Sequence, residues 1–324
     1  MKATARAHPI QGLVKYHGMR DHDLRYPYHD SISVCTAPSA TTTTAAFDSD
    51  RESDHYVVDG EVVTGTGADR IRSVVDRVRD LAGLDTRVRL ESENSFPTNV
   101  GLGSSASGFA AAAVAAAAAA DLELSHPELS AIARRGSASA ARAVAGGFAD
   151  LRAGVNDEDC RAYRLDPGGD LADMRVVVGL VPAYKETQAA HDEAEESHMW
   201  EARLAHVHGE LQRARDAIRA GDLERVGDIA ERDTLSLAAT TMTGPAAWVY
   251  WKPETLAVFE TVRDLREDGV PAYFSVDTGA TVYVNTTDAH VDRVAEAVAD
   301  CGVETRRWRV GGPARVIDGD EALF

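Results

Sequence analysis

Lysine is nearly missing from this chain. Of its 34 basic side chains only Lys2, Lys15, Lys185 and Lys252 are lysines, and the other 30 are arginines. Carboxylates number 52, so the formal net charge is −18. That balance disfavours nonspecific nucleic-acid binding, which needs clustered cations to neutralise phosphates. A carboxylate-rich, lysine-poor surface resembles that of proteins adapted to molar salt, where self-repulsion is screened over a few ångströms. Cysteine is also scarce. Cys35, Cys160 and Cys301 are scattered, odd in number and without Cys-x-x-Cys spacing. This speaks against a disulfide framework and for free thiols in a reducing compartment. The eleven histidines form no His-Glu-x-x-His or similar metal pattern. His191, His198, His206 and His208 fall in a charged helical stretch and read as solvated. Long apolar runs are absent too: Ala110 to Ala120 is too short and too weakly apolar to span a bilayer, and no basic-then-apolar leader is visible. The expectation is a soluble, cytoplasmic protein.

The 324 residues suffice for one large domain or two medium ones. His55 to Val63 reads as a hairpin turning at Asp59-Gly60. Arg70 to Ala82 has helical spacing, and Thr86 to Leu90 reads as a strand. An alanine-rich helix follows, then Arg175 to Val181 as a continuous apolar strand. A charged helix is expected from His191 to about Arg219, ending near Gly221. The remainder reads helix, helix, strand (Ala272 to Val276), strand (Thr281 to Val284), helix (Val291 to Cys301), strand (Thr305 to Val310). A boundary near 185 divides the chain into 1–184 and 185–324, and the order suits an α+β sandwich.

The segment Pro97-Thr98-Asn99-Val100-Gly101-Leu102-Gly103-Ser104-Ser105-Ala106 runs straight into the alanine helix. Glycines allow the backbone to approach a ligand closely, and exposed N–H groups at a helix start make an anion site. It is neither a Walker A loop nor a dinucleotide fingerprint. A plain helix cap would account for it equally well on composition alone.

The wider pattern resembles the phosphate loop of the GHMP kinase superfamily. Four further segments resemble its mevalonate diphosphate decarboxylase family: Val14-Lys15-Tyr16-His17-Gly18-Met19-Arg20-Asp21 with Tyr26 to Val34; Ser92-Glu93-Asn94-Ser95-Phe96-Pro97; Gly136 to Arg142 with Gly146-Gly147-Phe148; and Tyr273 to Ala280, containing Asp277. The resemblance implies the GHMP fold, with an N-terminal part of the ribosomal-S5-like type and a C-terminal ferredoxin-like α/β sandwich. It implies ATP and Mg²⁺, a small mevalonate phosphate as substrate, a homodimer, and no nucleic-acid or membrane partner.

By that resemblance Asp277 accepts the hydroxyl proton or stabilises developing positive charge, and Arg142 grips the substrate carboxylate with a bidentate fork. Lys15 belongs to the catalytic set as a phosphate-contacting cation. Tyr16, Ser137, Ser139 and Lys185 bind substrate; Tyr16 is also readable as a half-buried core aromatic, and Ser137 and Ser139, taken alone, read more readily as small helix-packing serines. Asn94, Pro97, Gly101, Leu102, Gly103, Ser104, Ser105 and Ala106 hold the nucleotide, with Ser104 near Mg²⁺; Asn94 could equally be a turn residue. The chain departs from the family pattern at His17, Met19 and His29, and at Lys185-Glu186-Thr187-Gln188-Ala189. The last change removes a cation at the substrate phosphate end. It fits the archaeal subgroup acting on mevalonate 5-phosphate rather than the diphosphate. The rival expectations are a diphosphate substrate, a 3-kinase that stops before CO₂ loss, and a non-catalytic ligand sensor of the same fold.

Overall fold

A computed structural model of the chain describes residues 2–97, 102–182, 191 and 193–324. Gly101, Lys185 and the 184/185 boundary lie outside the described residues, as do Glu186, Gln188 and Ala189. In chain order the elements begin with β1 (Lys2–Ala7), β2 (Ile10–Val14), β3 (Met19–Asp21), β4 (Tyr26–Pro27), β5 (Ser31–Ala37), β6 (Thr41–Asp48), β7 (His55–Val58) and β8 (Glu61–Val62). Then come α1 (Gly65–Ala82), β9 (Arg87–Asn94), α2 (Ser104–Ala119), α3 (His126–Gly136), α4 (Ala138–Ala145), β10 (Phe148–Leu151), β11 (Ala162–Leu165) and β12 (Arg175–Leu180). The last are α5 (Trp200–Ala220), α6 (Leu223–Met242), α7 (Pro253–Glu267), β13 (Ala272–Ser275), β14 (Val282–Thr286), α8 (Val291–Ala299), β15 (Glu304–Val310) and β16 (Arg315–Ile317).

One sheet runs β16-β1-β6-β9-β7-β8, and its inner face receives α2. Alanine makes this possible. Its methyl packs without holding the helix away from its neighbours, and a helix apolar all round is a buried helix. Ala110, Ala113, Ala115 and Ala116 have no exposed surface, with β1 and β6 on one side and α3 and α4 on the other. The hairpin turns where the sequence predicts: Asp59 and Gly60 both take positive φ, 50° and 82°, as a tight primed turn demands.

The second sheet runs β11-β10-β5-β15-β12-β14-β13, with β2 also paired to β5. β12 explains the continuous apolar run seen in the sequence. Successive side chains alternate between faces; Val176 and Val178 join the core under α5 and α6, while Val177 joins the core under α7 and α8. Both faces are covered, so both sets are apolar.

Two boundaries differ from expectation. α1 begins at Gly65 rather than Arg70, because its first turn, Gly-Thr-Gly-Ala, carries no apolar periodicity to read. α5 begins at Trp200 rather than near His191. Ser197 Oγ accepts the Met199 N–H at 3.1 Å, closing a local turn that separates α5 from the short 3₁₀ turn Ala194–Glu196. No helix among the described residues is long and apolar enough to cross a membrane.

Candidate active site

β2 is the spine of the site. Its first residue lies beside the phosphate loop: a Cβ on Gly103 would sit 3.3 Å from the Ile10 carbonyl oxygen and 3.5 Å from Pro9 Cβ. Gly103, at φ 73°, is the N-cap of α2 and supplies no side-chain cap. The helix start therefore faces outward through Ser104, half-buried, and Ser105, exposed, while Leu102 and Ala106 are buried behind it and Pro97 is exposed. This donor set of backbone N–H groups and hydroxyls, free of acidic side chains in the first turn, fits a nucleotide phosphate with its Mg²⁺. Asn94 is drawn into the support of the loop. Its side chain donates to Asp59 at 3.0 Å and accepts from Thr41 Oγ1 at 2.6 Å; Thr41 in turn meets Ser107 of α2 at 2.7 Å.

Two residues along β2, the Gly12 N–H donates to Asp277 Oδ1 at 3.1 Å, and Ser275 Oγ donates to the Gly12 carbonyl at 2.9 Å. A Cβ at Gly12 would lie 2.6 Å from Lys15 Cγ and 2.8 Å from Asp277 Oδ1. One added methyl would thus strike both side chains, which places the lysine stem and the carboxylate against the same point of backbone. Asp277 is half-buried and also borders a pocket lined by Thr234, Thr241, Trp248, Tyr250 and Gly279.

Arg142 comes to the same place from α4. It is 2 % exposed, its Nε and Nη1 have no hydrogen-bond partner among the described residues, and its Nη2 reaches Ser139 Oγ at 3.5 Å. Ser139 Oγ lies 3.4 Å from Tyr16 OH, and the guanidinium carbon sits 5.4 Å from the Tyr16 ring centre. Burial lowers the Arg142 guanidinium pKa from its usual value, while Tyr16 and Asp277 oppose the shift. A buried fork with unused donors is costly unless something anionic is to be received. Ser137 is buried at the joint of α3 and α4, serving as C-cap of one and N-cap of the other. Lys15, Tyr16, Ser139, Arg142 and Asp277 are thus brought together; Asn94 and Pro97 stand apart from them.

Lys15 is held from below by a network the sequence reading missed. Its backbone N–H donates to Asp233 Oδ2 at 2.9 Å, and its Nζ lies 3.4 Å from the same oxygen and 3.1 Å from Thr234 Oγ1. Arg203 Nη1 meets Asp233 Oδ1 at 2.6 Å and its Nη2 meets the Lys15 carbonyl at 2.8 Å. The side chains of Arg203 and Asp233 are fully buried. Burial alone would raise the Asp233 carboxyl, but Arg203 and Lys15 overcome it and hold it below the usual range. Burial lowers Lys15, aided by Arg203, while Asp233 and Asp277 oppose the shift. A signal for both residues was present. Arg203 shares a face with Val207, Leu211, Ala214 and Ile218, and Asp233 with Val226, Ile229, Ala230 and Leu237. Each is a charge on the apolar stripe of its helix.

One histidine reading is corrected. His191 is not solvated: it is buried and stacks on Tyr16 with ring centres 4.7 Å apart and planes at 16°, and it meets the edge of His17, which in turn packs on Trp200. His198 and His208 are exposed, and His206 is half-buried. The three cysteines are free, and burial pushes the Cys35 thiol up to about 12.

A bare helix start beside Ile10 of β2, and a carboxylate at Gly12 in the field of two buried cations, fit an enzyme of the GHMP kinase fold. Residues 7–162 match the family model for the diphosphomevalonate decarboxylase-like N-terminal domain. The chain is 66% identical to the phosphomevalonate decarboxylase of Haloferax volcanii over 100% of both chains. It also resembles the crystal structure of mevalonate diphosphate decarboxylase from Staphylococcus aureus (30% identity, TM-score 0.92, 98% of each chain). A complex of MDDEF with MVAPP, AMPPCP and magnesium is similar at 28% identity and TM-score 0.91, over 98% of this chain and 99% of that one. The chain belongs to the phosphomevalonate and diphosphomevalonate decarboxylase family, ATP- and Mg²⁺-using decarboxylases of the mevalonate pathway.

Proposed function

We propose that the chain decarboxylates mevalonate 5-phosphate to isopentenyl phosphate, releasing ADP, phosphate and CO₂. The observation that carries the reading is the meeting of Asp277 and Lys15 at Gly12 of β2, with the Arg142 guanidinium in the field of Asp277, two residues along the strand from the Gly103–Ser105 helix start. ATP, when bound, supplies the phosphoryl group that converts the tertiary 3-hydroxyl into a leaving group, with Mg²⁺ offsetting phosphate charge. Ser104 and Ser105, with the backbone around Gly103, would hold its phosphates, and Gly101 belongs to the same loop. Asp277, oriented by the Gly12 N–H, takes the hydroxyl proton or, staying ionised, is the counter-charge to the carbon from which phosphate leaves. Arg142 receives the substrate carboxylate with the donors left unused in its buried pocket, and fixes the bond to CO₂ for cleavage. That bond's electron pair becomes the new double bond as the phosphate departs. Ser137, Ser139 and Tyr16 position the substrate, and Lys15 neutralises developing oxyanion charge.

The choice of the monophosphate is supported by the cation-poor Lys185-Glu186-Thr187-Gln188-Ala189 segment and by the likeness to the Haloferax enzyme over the whole length. Similarity to diphosphate-named enzymes keeps the diphosphate as the second reading. An assay with each substrate, following ADP and CO₂ separately, decides between them. ADP without CO₂ would indicate a 3-kinase, and no turnover with either a sensor. The same reading takes the enzyme as a cytoplasmic homodimer, which light scattering in molar salt tests.

A further inference from the structure

We propose that Asp233, backed by Arg203, is a positioning residue for this reaction, holding Lys15 as an ammonium beside Asp277. The inference rests on the role given to Lys15 above. Three contacts converge to fix one lysine. Asp233 grips both the backbone N–H and the Nζ of Lys15, at 2.9 and 3.4 Å. Arg203 spans from the Asp233 carboxylate to the Lys15 carbonyl, at 2.6 and 2.8 Å. Thr234 Oγ1 accepts from Lys15 Nζ at 3.1 Å and from the Val276 N–H at 3.2 Å, while donating to the Ala230 carbonyl at 2.8 Å. Thr234 therefore ties the lysine to the residue immediately before Asp277. One turn of α6 sets the distance between the two groups of the reaction.

The electrostatics follow from burial. Lys15 is 5 % exposed, and an ammonium taken out of water loses its proton readily unless a carboxylate offsets the lost hydration. Among the described residues, the charged and titratable groups around it are Asp233 from α6, Arg203 from α5 and Asp277 from the loop after β13. His29 and His206 lie within the field of Asp233 and Arg203. Arg203 disfavours the ammonium and Asp277 is shared with Arg142, so Asp233, which also pairs with Arg203, is the carboxylate in direct contact with Lys15. Arg203 then keeps Asp233 ionised at the cost of one more buried cation. Without Asp233 the lysine would sit between buried arginines and shed its proton at lower pH.

The test is the pH profile of ADP release, from pH 6 to 10 in molar KCl with Mg-ATP and mevalonate 5-phosphate, for the parent chain, D233N, D233E, T234V and K15M. K15M should lose activity by about 100-fold or more; near-normal turnover there would remove Lys15 from the reaction, and with it the footing of the proposal. With Lys15 required, D233N should lower kcat about 100-fold and move the alkaline limb of kcat down by about one pH unit or more, with D233E recovering part of both. A limb that stays in place in folded D233N overturns the proposal, since a merely structural residue would lower stability without moving it. Should D233N not fold, T234V decides. It leaves the Arg203–Asp233 pair whole and should lower kcat about tenfold with the limb displaced in the same direction; kcat within twofold of the parent overturns the proposal.

Discussion

The Gly12 N–H and the Asp277 carboxylate, 265 positions apart in sequence, meet at 3.1 Å. This one hydrogen bond joins the strand that carries the phosphate loop's neighbour to the loop that carries the acidic group. It also explains why position 12 is glycine: the space a Cβ would need is already taken by Asp277 and the stem of Lys15. Gly12→Ala should therefore displace both groups by a few tenths of an ångström to an ångström while leaving the fold intact. The expected loss in kcat is about 100-fold, with a melting temperature close to the parent's. Steady-state kinetics beside a thermal melt checks this, and a fully active variant would show that the convergence at Gly12 is not used.

Asp277→Asn keeps the shape of the side chain and the Gly12 hydrogen bond but removes the negative charge. ADP and CO₂ release should both fall by about 10² to 10⁴, while nucleotide binding at the Gly103–Ser105 helix start stays near normal. Equilibrium binding of an ATP analogue alongside turnover separates the two. Turnover near the parent's would take Asp277 out of the mechanism.

Arg142 is buried, and its Nε and Nη1 have no hydrogen-bond partner among the described residues, so its planar fork should matter as much as its charge. Arg142→Lys keeps the charge and loses the second parallel hydrogen bond. A fall of about 10- to 100-fold in kcat/KM for the mevalonate phosphate is expected, with KM for ATP unchanged. Equal loss toward both substrates would mean the arginine is serving the fold instead.

A chain of this composition yields its architecture readily and its buried charges poorly. The alanine run, the Asp59-Gly60 turn and the doubly covered strand β12 were legible because each is a local solution to a local constraint. The site residues on β2, on α4 and before Gly279 were legible through their resemblance to a family pattern. Asp233 and Arg203 each left a signal on the apolar stripe of a helix, but among 52 acidic side chains and 30 arginines their pairing with each other and with Lys15 shows only in the tertiary fold. His191 was misread for a related reason. It precedes an acidic, solvated stretch, and only the tertiary fold brings the Tyr16 ring over it.

His29 makes a stability prediction with a definite sign. Burial first, then the Arg203 cation, push its imidazole down to about 4, against roughly 6.5 in an unfolded chain. Between those values the unfolded state binds the extra proton. The His29 contribution is therefore complete above pH 6.5 and drains away as pH falls toward 4, by about 3 kcal/mol in all. His29→Asn should flatten this part of the stability curve, read as melting temperature at pH 7.5 and 4.5 in molar salt. Identical slopes in parent and variant would contradict the assignment.

The central claim is that donor and acceptor meet across β2 to carry decarboxylation through to its end, on a monophosphate. One assay tests it most directly: purified protein in molar KCl with Mg-ATP and mevalonate 5-phosphate, measuring ADP and CO₂ together, and the same with the 5-diphosphate. The account predicts equal amounts of ADP and CO₂ from the monophosphate and much slower release from the diphosphate. ADP without CO₂, or preference for the diphosphate, would contradict it.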